Sequence, residues 1–281
     1  MKKSKLLKVA IKAARAAGKI ILKNYGCATF EFKNDDSLVS NADKASEKKI
    51  KQIILKEFPD HGFCGEEFGC TNLSSDHVWF IDPIDGTTNY KIQLPYFNVS
   101  IGLVVNNESV VAVVFNPYTK EMFCAEKGKG AELNGKPIRV SRAKTLKGTV
   151  LDLGHRKTHK ETREAVNIYS DLIKHKLRIR RLGSAALELA YVGAGRLDGC
   201  IMHGINSWDI AAGLLIVTES GGSVSDFKGK SATVNTSQLI ASNGLVQNDL
   251  VKVVKKNVKF KKITSNKLKV KTISKNVRKK K

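Results

Sequence analysis

The chain has 281 residues, of which 42 % are hydrophobic, and this length suffices for one large domain or two closely packed lobes. Its formal net charge is +23 at pH 7. It contains no run of about 18 apolar residues that could span a membrane, and its basic start leads into an amphipathic pattern rather than a signal peptide. The five cysteines are scattered without a Cys-x-x-Cys pair, which favours a reducing cytoplasm and argues against a thiolate zinc site.

The first 140 residues are expected to form an α+β lobe. Apolar residues recur with helical spacing in Lys5–Asn24 and Asp43–Phe58, and Pro59 ends the second of these helices. Strands are predicted, in chain order, at Phe30–Lys33, Gly62–Gly65, Val78–Ile81, Tyr96–Val105, Ser109–Asn116, Glu121–Glu126 and Gly130–Leu133. The last four of these strands are expected to form an antiparallel meander.

Residues 141–258 are expected to form a second lobe in which strands alternate with helices, a pattern typical of a layered α/β arrangement. The predicted strands are Thr149–Leu153, Ile179–Leu182, Leu197–Met202 and two more near Ser223 and Leu239. The predicted helices are Lys160–Lys174, Ser184–Val192 with Ser184 as its N-cap, Trp208–Ser220 and one that begins near Leu245.

Residues 259–281 form a basic tail. Between Lys252 and Lys281 there are 14 lysines and arginines and no acidic residue, so the rest of the chain is only moderately basic. Such a segment is typical of a solvated, poorly ordered tail. The functional alternative is a weak, salt-sensitive contact with nucleic acid or another polyanion.

Residues 79–89 carry the most informative motif. The apolar run Val78–Ile81 stops at Asp82 and Asp85, and carboxylates at the end of a buried strand suit a hard divalent cation, which prefers oxygen ligands. The Gly86–Thr88 turn then opens a helix, whose free N–H groups can hold an anion. Taken alone, the same residues also fit a tight turn followed by an ordinary helix N-cap.

Four further acidic residues are expected near this motif. Glu66 and Glu67 follow a short strand, while Asp43 and Asp209 each begin a helix. Taken singly, Glu66 and Glu67 also fit a solvated turn, Asp43 fits a helix-dipole partner and Asp209 fits an N-cap. Because each lies at the end of an apolar element, where a rigid scaffold can present it, the four together predict a shared acidic site.

These segments resemble the signature segments of the inositol monophosphatase family, which comprises magnesium-dependent, lithium-sensitive phosphatases of small molecules. The matching segments are Gly65 to Glu67, Trp79 to Asn89, Trp208 to Gly213, Gly183 to Val192 and Gly195 to Gly199. The resemblance runs in order from about Leu6 to about Asn248 and leaves the basic tail outside. It implies alternating layers of helices and sheets, an αβαβα sandwich, and a homodimer by analogy.

The resemblance also implies two or three Mg²⁺ ions. Their expected ligands are Glu66, Asp82, the backbone carbonyl of Ile84, Asp85 and Asp209, with Glu67 as an outer ligand that acts through water. The expected catalytic residues are Thr87, Asp43 and Glu66, and Thr87, supported by Asp43, would orient the attacking water. Metal ions would neutralise the anionic phosphate and stabilise the leaving oxygen. No cysteine or histidine of these motifs is needed as a nucleophile.

The substrate pocket departs from the family pattern. The expected phosphate and substrate contacts are Asp85, Gly86, Thr87, Ser184, Ala185, Met202 and His155. Met202 stands where inositol-type members place a sugar-binding glutamate, and methionine cannot make those hydrogen bonds. Either His203 or Asn206 takes its place, or the substrate is not an inositol phosphate. His155-Arg156 could favour an extra anionic group or could be ordinary loop residues.

The expected function is that of a cytoplasmic, magnesium-dependent phosphomonoesterase acting on a small sugar or polyol phosphate. Within the same superfamily, the alternatives are a fructose-1,6-bisphosphatase and an adenosine 3′,5′-bisphosphate phosphatase. Residues 183–190 favour the inositol and sugar phosphatase branches. From another class, the alternative is a polyanion-binding or RNA-binding protein that uses residues 259–281.

Overall fold

The computed structural model describes residues 3–155 and 158–259, without the side chain of His155. The helices are α1 (Lys5–Asn24), α2 (Asn41–Glu57), α3 (Thr87–Lys91), α4 (His159–Leu172), α5 (Ala185–Gly193), α6 (Ser207–Glu219) and α7 (Gln247–Asn257). A short 3₁₀ turn, Ile173–His175, continues α4. None of the helices in these ranges is long and apolar enough to cross a membrane.

Fifteen strands lie in the described ranges. Those before residue 140 are β1 (Phe30–Phe32), β2 (Leu38–Ser40), β3 (Gly62–Gly65), β4 (Gly69–Thr71), β5 (His77–Asp85), β6 (Asn98–Val105), β7 (Glu108–Asn116), β8 (Glu121–Glu126), β9 (Ala131–Leu133) and β10 (Lys136–Pro137). Those that follow are β11 (Val150–His155), β12 (Arg178–Arg180), β13 (Gly199–His203), β14 (Ser223–Asp226) and β15 (Gln238–Ser242). The proposed lobe boundary at residue 140 falls between β10 and β11.

The strands before residue 140 form an eight-stranded sheet in the order β10-β9-β8-β7-β6-β5-β3-β4, with β1 and β2 as a separate pair. β3 and β5 are parallel, and the other neighbours are antiparallel. Nearly every residue of β6 is buried. This sheet is therefore covered by helices on both faces.

The strands after residue 140 form a five-stranded sheet in the order β12-β11-β13-β15-β14. β11 runs parallel to both β12 and β13, whereas β15 is antiparallel to its two neighbours. Because β11 and β13 are parallel, their carboxyl ends meet at one edge of the sheet. Gly154 pairs with Met202 and His155 pairs with His203 at that edge.

The helices form three layers around the two sheets. α1 and α2 pack on the outer face of the eight-stranded sheet through residues such as Leu7 and Ile50. α5 and α6 lie between the sheets, and each of two apolar clusters contains residues from both helices. α4 and α7 cover the outer face of the five-stranded sheet through Ile168, Leu172 and Val254. The predicted αβαβα sandwich is thus confirmed.

The central layer approaches the larger sheet closely because of one glycine. A Cβ atom on Gly102 in β6 would lie 2.8 Å from both the Cβ of Ala211 and the backbone nitrogen of Ala212 in α6. Any larger side chain would force α6 away from β6. The N-terminal part of α6, which carries Asp209, is therefore held against β6, the strand that pairs with the Asp82-bearing strand β5.

Several elements differ from the predictions. The short strands β2, β4 and β10 were not predicted, and β5 continues past Ile81 to Asp85 through a register irregularity that accommodates Pro83. Ser184 precedes α5 as expected, but its side chain makes no capping hydrogen bond. The sequence also gave no indication of the disulfide that joins Cys64 and Cys70. The predicted disorder of the tail concerns residues that, except for Lys259, lie outside the described part.

Candidate metal and phosphate site

A cavity of about 260 Å³ opens where the end of β5 meets the N-termini of α3, α5 and α6 and the edge formed by β11 and β13. Its lining from the first lobe includes Glu66, Asp82, Ile84, Asp85, Gly86 and Thr87. Its lining from the second lobe includes Gly154, Ser184, Ala185, Glu188, Met202, His203, Asn206 and Asp209. Most of the predicted site residues therefore meet at one cavity, and Asp43 and Glu67 lie outside this lining.

Asp82 is a deeply buried carboxylate of the cavity and is 3 % exposed. Its Oδ1 atom has no hydrogen-bond partner among the described residues. Burial, and then repulsion from Glu66, Asp85, Asp209 and Asp43, raises the pKa of Asp82 well above its usual value. An ionised carboxylate in such a place is costly unless a proton or a cation compensates it.

Asp85 is held by hydrogen bonds. Its Oδ2 atom accepts from Asn98 Nδ2 at 2.8 Å, from Ser184 Oγ at 2.8 Å and from the N–H of Ala186 at 2.7 Å. Its Oδ1 atom accepts from the N–H of Ala185 at 3.1 Å. These bonds explain why Ser184 does not cap α5 with its own side chain. Burial raises the pKa of Asp85, and the bonds from Ser184, Asn98 and α5 oppose that rise.

Asp43 and Asp209 each close the N-terminus of their helix. Asp43 Oδ2 accepts from the N–H of Ser40 at 2.8 Å, and Asp209 Oδ2 accepts from the N–H of Asn206 at 2.7 Å. The N-cap alternative for Asp209 is wrong, because Asn206 is the N-cap of α6 and Ser40 that of α2. Asp43 and Asp209 are the third residues of their helices and complete capping boxes, and Asp209 also lines the cavity. Burial raises the pKa of Asp43 to about 7, and its Oδ1 atom has no hydrogen-bond partner in the described structure.

One lysine is shared by the two glutamates and balances part of their negative charge. Lys33 directly follows β1, and its Nζ atom lies 2.8 Å from Glu66 Oε1 and 2.6 Å from Glu67 Oε1. Partial burial lowers the pKa of Lys33, but the two glutamates outweigh it and raise that pKa above its usual value. Glu47 in α2 holds the same turn, because its carboxylate accepts from the N–H groups of Glu67 and Phe68 at 2.8 and 3.2 Å. Neither Lys33 nor Glu47 was predicted from the sequence.

The described residues contain no three acidic, histidine or cysteine side chains already arranged around a common metal position. The contacts above give the reason, since Lys33 holds Glu66, donors from α5 hold Asp85, and Asp209 is turned towards its own helix. The unpartnered oxygen of Asp82 and the oxygen chemistry of this set nevertheless fit a hard divalent cation. Such an ion would balance the negative charge of Asp82, as Lys33 balances that of Glu66.

Gly86 and Thr87 lie where a phosphate could approach. Gly86 adopts a left-handed conformation, with φ of +94°, immediately before α3. A Cβ atom there would lie 3.0 Å from the carbonyl oxygen of Tyr96, so this turn requires glycine. Thr87 Oγ1 donates to the carbonyl oxygen of Ile84 at 3.0 Å. The expected support of Thr87 by Asp43 is therefore not a hydrogen bond from this hydroxyl.

The second-lobe wall combines a methionine with a buried acid. Met202 is 1 % exposed, and His203 beside it is engaged with α4, its Nε2 lying 2.7 Å from Glu164 Oε2. Glu188, which was not predicted, accepts from the N–H groups of Gly183 and Ser184 at 2.8 and 3.0 Å. Burial, and then the neighbouring carboxylate of Asp152, raises the pKa of Glu188 well above its usual value. The side chain of His155 and all of Arg156 lie outside the described part.

The residues of this cavity lie within the part of the chain that matches known proteins. A model described as "Inositol monophosphatase family" matches residues 2–259. "Nus factor SuhB" of Escherichia coli K12 is 42 % identical over 243 residues, which cover 85 % of this chain and 91 % of that protein.

Two solved structures have the same fold. An IMPase of Thermotoga maritima has a TM-score of 0.84 and 39 % identity, and the match covers 90 % of this chain and 98 % of that one. SaIMPase-II, solved with inositol monophosphate bound, has a TM-score of 0.77 and 26 % identity, and the match covers 89 % of this chain and 93 % of that one.

Proposed function

The chain belongs to the inositol monophosphatase family, and we propose that it is a magnesium-dependent phosphatase that hydrolyses a small sugar or polyol phosphate. One observation carries this proposal: buried Asp82, with an unpartnered oxygen, lies in the same cavity as Glu66, Asp85 and Asp209. The acids of this cleft repel one another and raise the pKa of Asp82, and a bound cation would relieve that repulsion.

The ligands of Mg²⁺ would be Glu66, Asp82, the carbonyl of Ile84, Asp85 and Asp209, with Glu67 as an outer ligand. When bound, the metal would supply positive charge that neutralises the phosphate and activates a water molecule. Glu66 would have to leave Lys33 to contribute, and Lys33 could then keep its bond to Glu67.

Thr87 and Asp43 would act around the attacking water. The Thr87 hydroxyl donates its proton to the carbonyl of Ile84, so its lone pairs remain free to accept a hydrogen bond from water. The pKa of Asp43 is raised, and its Oδ1 atom has no hydrogen-bond partner among the described residues. Asp43 would therefore take part only when its carboxyl is ionised. The N–H groups of Gly86 and Thr87 would hold the phosphate oxygens.

We propose that Glu188 contributes to recognition of the substrate's hydroxyl groups, because Met202 cannot. Gly154 has no side chain, so the space beside Glu188 and Met202 is open. A Cβ atom on Gly154 would lie 4.0 Å from both Glu188 Oε2 and Met202 Cγ. A polyol or sugar hydroxyl could therefore approach the Glu188 carboxyl across Gly154. The inositol monophosphate bound to SaIMPase-II is the kind of ligand that such a pocket suits.

The experiment that tests this function is magnesium-dependent release of inorganic phosphate from a substrate panel. The panel contains an inositol monophosphate, fructose 1,6-bisphosphate, histidinol phosphate and adenosine 3′,5′-bisphosphate, each with and without lithium. We expect the inositol or sugar phosphate to be preferred and lithium to inhibit. Preference for the adenosine compound would refute the substrate class, and no release from any compound would refute the phosphatase proposal.

A second candidate function is contact with a polyanion such as RNA. Its support is the name "Nus factor SuhB" of the Escherichia coli relative, together with a basic cavity between α4 and α7. That cavity is lined by His159, Lys160, Arg163, Glu164, Asn167, Lys256, Asn257 and Lys259. The chain continues from it into residues 260–281, which are rich in lysine and contain no acid.

Deleting residues 260–281 tests this second function. Binding of a fluorescent single-stranded RNA should weaken and lose part of its dependence on salt, because fewer lysines release counterions. Phosphate release should not change, since the deleted residues are distant in sequence from every expected site residue. Unchanged RNA binding in the truncated protein would refute a role for the tail.

A further inference from the structure

Two cysteines flank the turn that carries Glu66. Cys64 in β3 lies directly opposite Cys70 in β4, with a Cα–Cα distance of 4.0 Å, and the two are joined by a disulfide. Opposed residues this close belong to a non-hydrogen-bonded pair, whose side chains lie side by side on one face of the sheet. The bond closes a ring over residues 65–69, which include Glu66 and Glu67.

The rest of the turn is weakly anchored at its β4 end. β4 has three residues, all exposed, and it forms the edge of the eight-stranded sheet. On the opposite side, Glu47 and Lys33 hold the turn through polar contacts, and the N–H of Glu66 donates to the carbonyl of Ile81 at 3.2 Å. The disulfide is therefore the covalent tie that joins the edge strand to β3.

The pair is accessible from one side. Cys70 is exposed, whereas Cys64 is 6 % exposed and lies behind it. Of the other cysteines, Cys124 and Cys200 are buried and Cys27 is exposed. A reagent in solution can thus reach Cys70 first, and Cys64 is already positioned to complete or release the bond.

We propose that Cys64 and Cys70 form a reversible dithiol–disulfide pair whose oxidation state sets the affinity of the Glu66 turn for Mg²⁺. This inference rests on the metal site of the proposed function. The oxidant is a small disulfide such as oxidised glutathione. The Cys70 thiolate attacks it, forms a mixed disulfide and releases one thiol. The Cys64 thiolate then attacks Cys70 Sγ, forms the protein disulfide and releases the second thiol. Two protein thiols are oxidised, and one small disulfide is reduced to two thiols.

The disulfide would affect metal binding because it limits the conformations of the turn that carries Glu66. In the reduced protein the short edge strand can separate from β3, and Glu66 then loses its fixed position relative to Asp82. In the oxidised protein the closed ring removes those conformations before the metal arrives. A ligand that is already in place binds with less loss of entropy. The oxidised form should therefore bind Mg²⁺ about three- to tenfold more tightly.

The test compares two preparations of the full chain, one oxidised with glutathione disulfide and one reduced with dithiothreitol that is then removed. Alkylation in denaturant followed by mass measurement reads the oxidation state. The reduced chain should carry labels on all five cysteines, and in the oxidised chain Cys64 and Cys70 should both lose their labels without gaining glutathione. Calorimetric titration with Mg²⁺ then gives the affinity of each preparation without any substrate.

Cys70→Ser should remove the difference between the two preparations, and Cys27→Ser, which changes the other exposed cysteine, should preserve it. Circular dichroism of each variant confirms that it is folded. Identical labelling of the two preparations would refute the reversible pair. Equal Mg²⁺ affinity in two preparations that label differently would refute the coupling and leave the phosphatase proposal intact. No Mg²⁺ binding in either preparation would refute both.

Discussion

Asp82 should lower the stability of the metal-free protein. Asp82 is 3 % exposed, and one of its oxygens has no hydrogen-bond partner among the described residues. Burial, and then repulsion from four other acids, raises its pKa. Asp82→Asn keeps the shape and removes the charge. We therefore expect the variant to be more stable than the wild type in EDTA at pH 8, by about 1–2 kcal/mol, the usual gain when a costly functional residue is replaced. For a chain of this length, this is a rise in Tm of about 2–8 °C.

The sign of this effect depends on pH. Because the folded-state pKa of Asp82 is raised, its ionisation costs stability only above its unfolded pKa of about 4. The cost is absent below that pH and grows as the pH rises towards the folded pKa. The gain from Asp82→Asn should accordingly be small at pH 4 and larger at pH 8.

Thermal unfolding followed by circular dichroism, in EDTA and in Mg²⁺, measures this effect. Excess Mg²⁺ should stabilise the wild type, by about 2.7 kcal/mol at a hundred times its dissociation constant, and should stabilise the variant less. Asp76→Asn, the same substitution in an exposed loop, is the matched control and should change neither condition. An Asp82→Asn protein that is less stable than the wild type in EDTA at pH 8 would refute the reasoning.

Three further predictions concern the same cavity. Mg²⁺ affinity measured by calorimetry should rise from pH 6 to pH 8, because the raised pKa values of Asp82 and Asp85 mean that protons compete with the metal; a flat profile would contradict this competition. Lys33→Met should increase Mg²⁺ affinity several-fold, because it removes the cation that holds Glu66, and weaker binding would mean that Lys33 supports the site. Glu188→Gln should raise KM for the preferred polyol phosphate about fivefold, the effect of weakening one hydrogen bond, and leave kcat for p-nitrophenyl phosphate unchanged; equal losses on both substrates would indicate a structural role.

The acids that line the cavity could be predicted because each follows or begins an apolar element. Asp82 and Asp85 lie in the last part of β5, Glu66 directly follows β3, and Asp209 lies in the first turn of α6, so the layering of the fold brings them together. The family resemblance, carried by the same segments, added the order of the layers. What local sequence supplied was therefore the position of each acid within its own element.

The partners of these acids could not be predicted, because they come from distant parts of the chain. Lys33 reaches Glu66 from the loop after β1, and Asn98 reaches Asp85 from the neighbouring strand. The opposition of Cys64 and Cys70 depends on β4, whose three exposed residues have no hydrophobic periodicity to reveal a strand. Such contacts depend on strand register and helix packing, which residue patterns within one element do not contain.

The most direct test of the account is the dependence of phosphate release on Mg²⁺ in the wild type, Asp82→Asn and Asp76→Asn. The substrate is the one that the wild type prefers in the panel. The account predicts release by the wild type and Asp76→Asn that requires Mg²⁺ and stops in EDTA. It predicts that Asp82→Asn loses activity by at least about a hundredfold at every Mg²⁺ concentration, as expected when a ligand shared by two metals is removed. Wild-type release in EDTA, or activity of Asp82→Asn equal to that of the control, would contradict it.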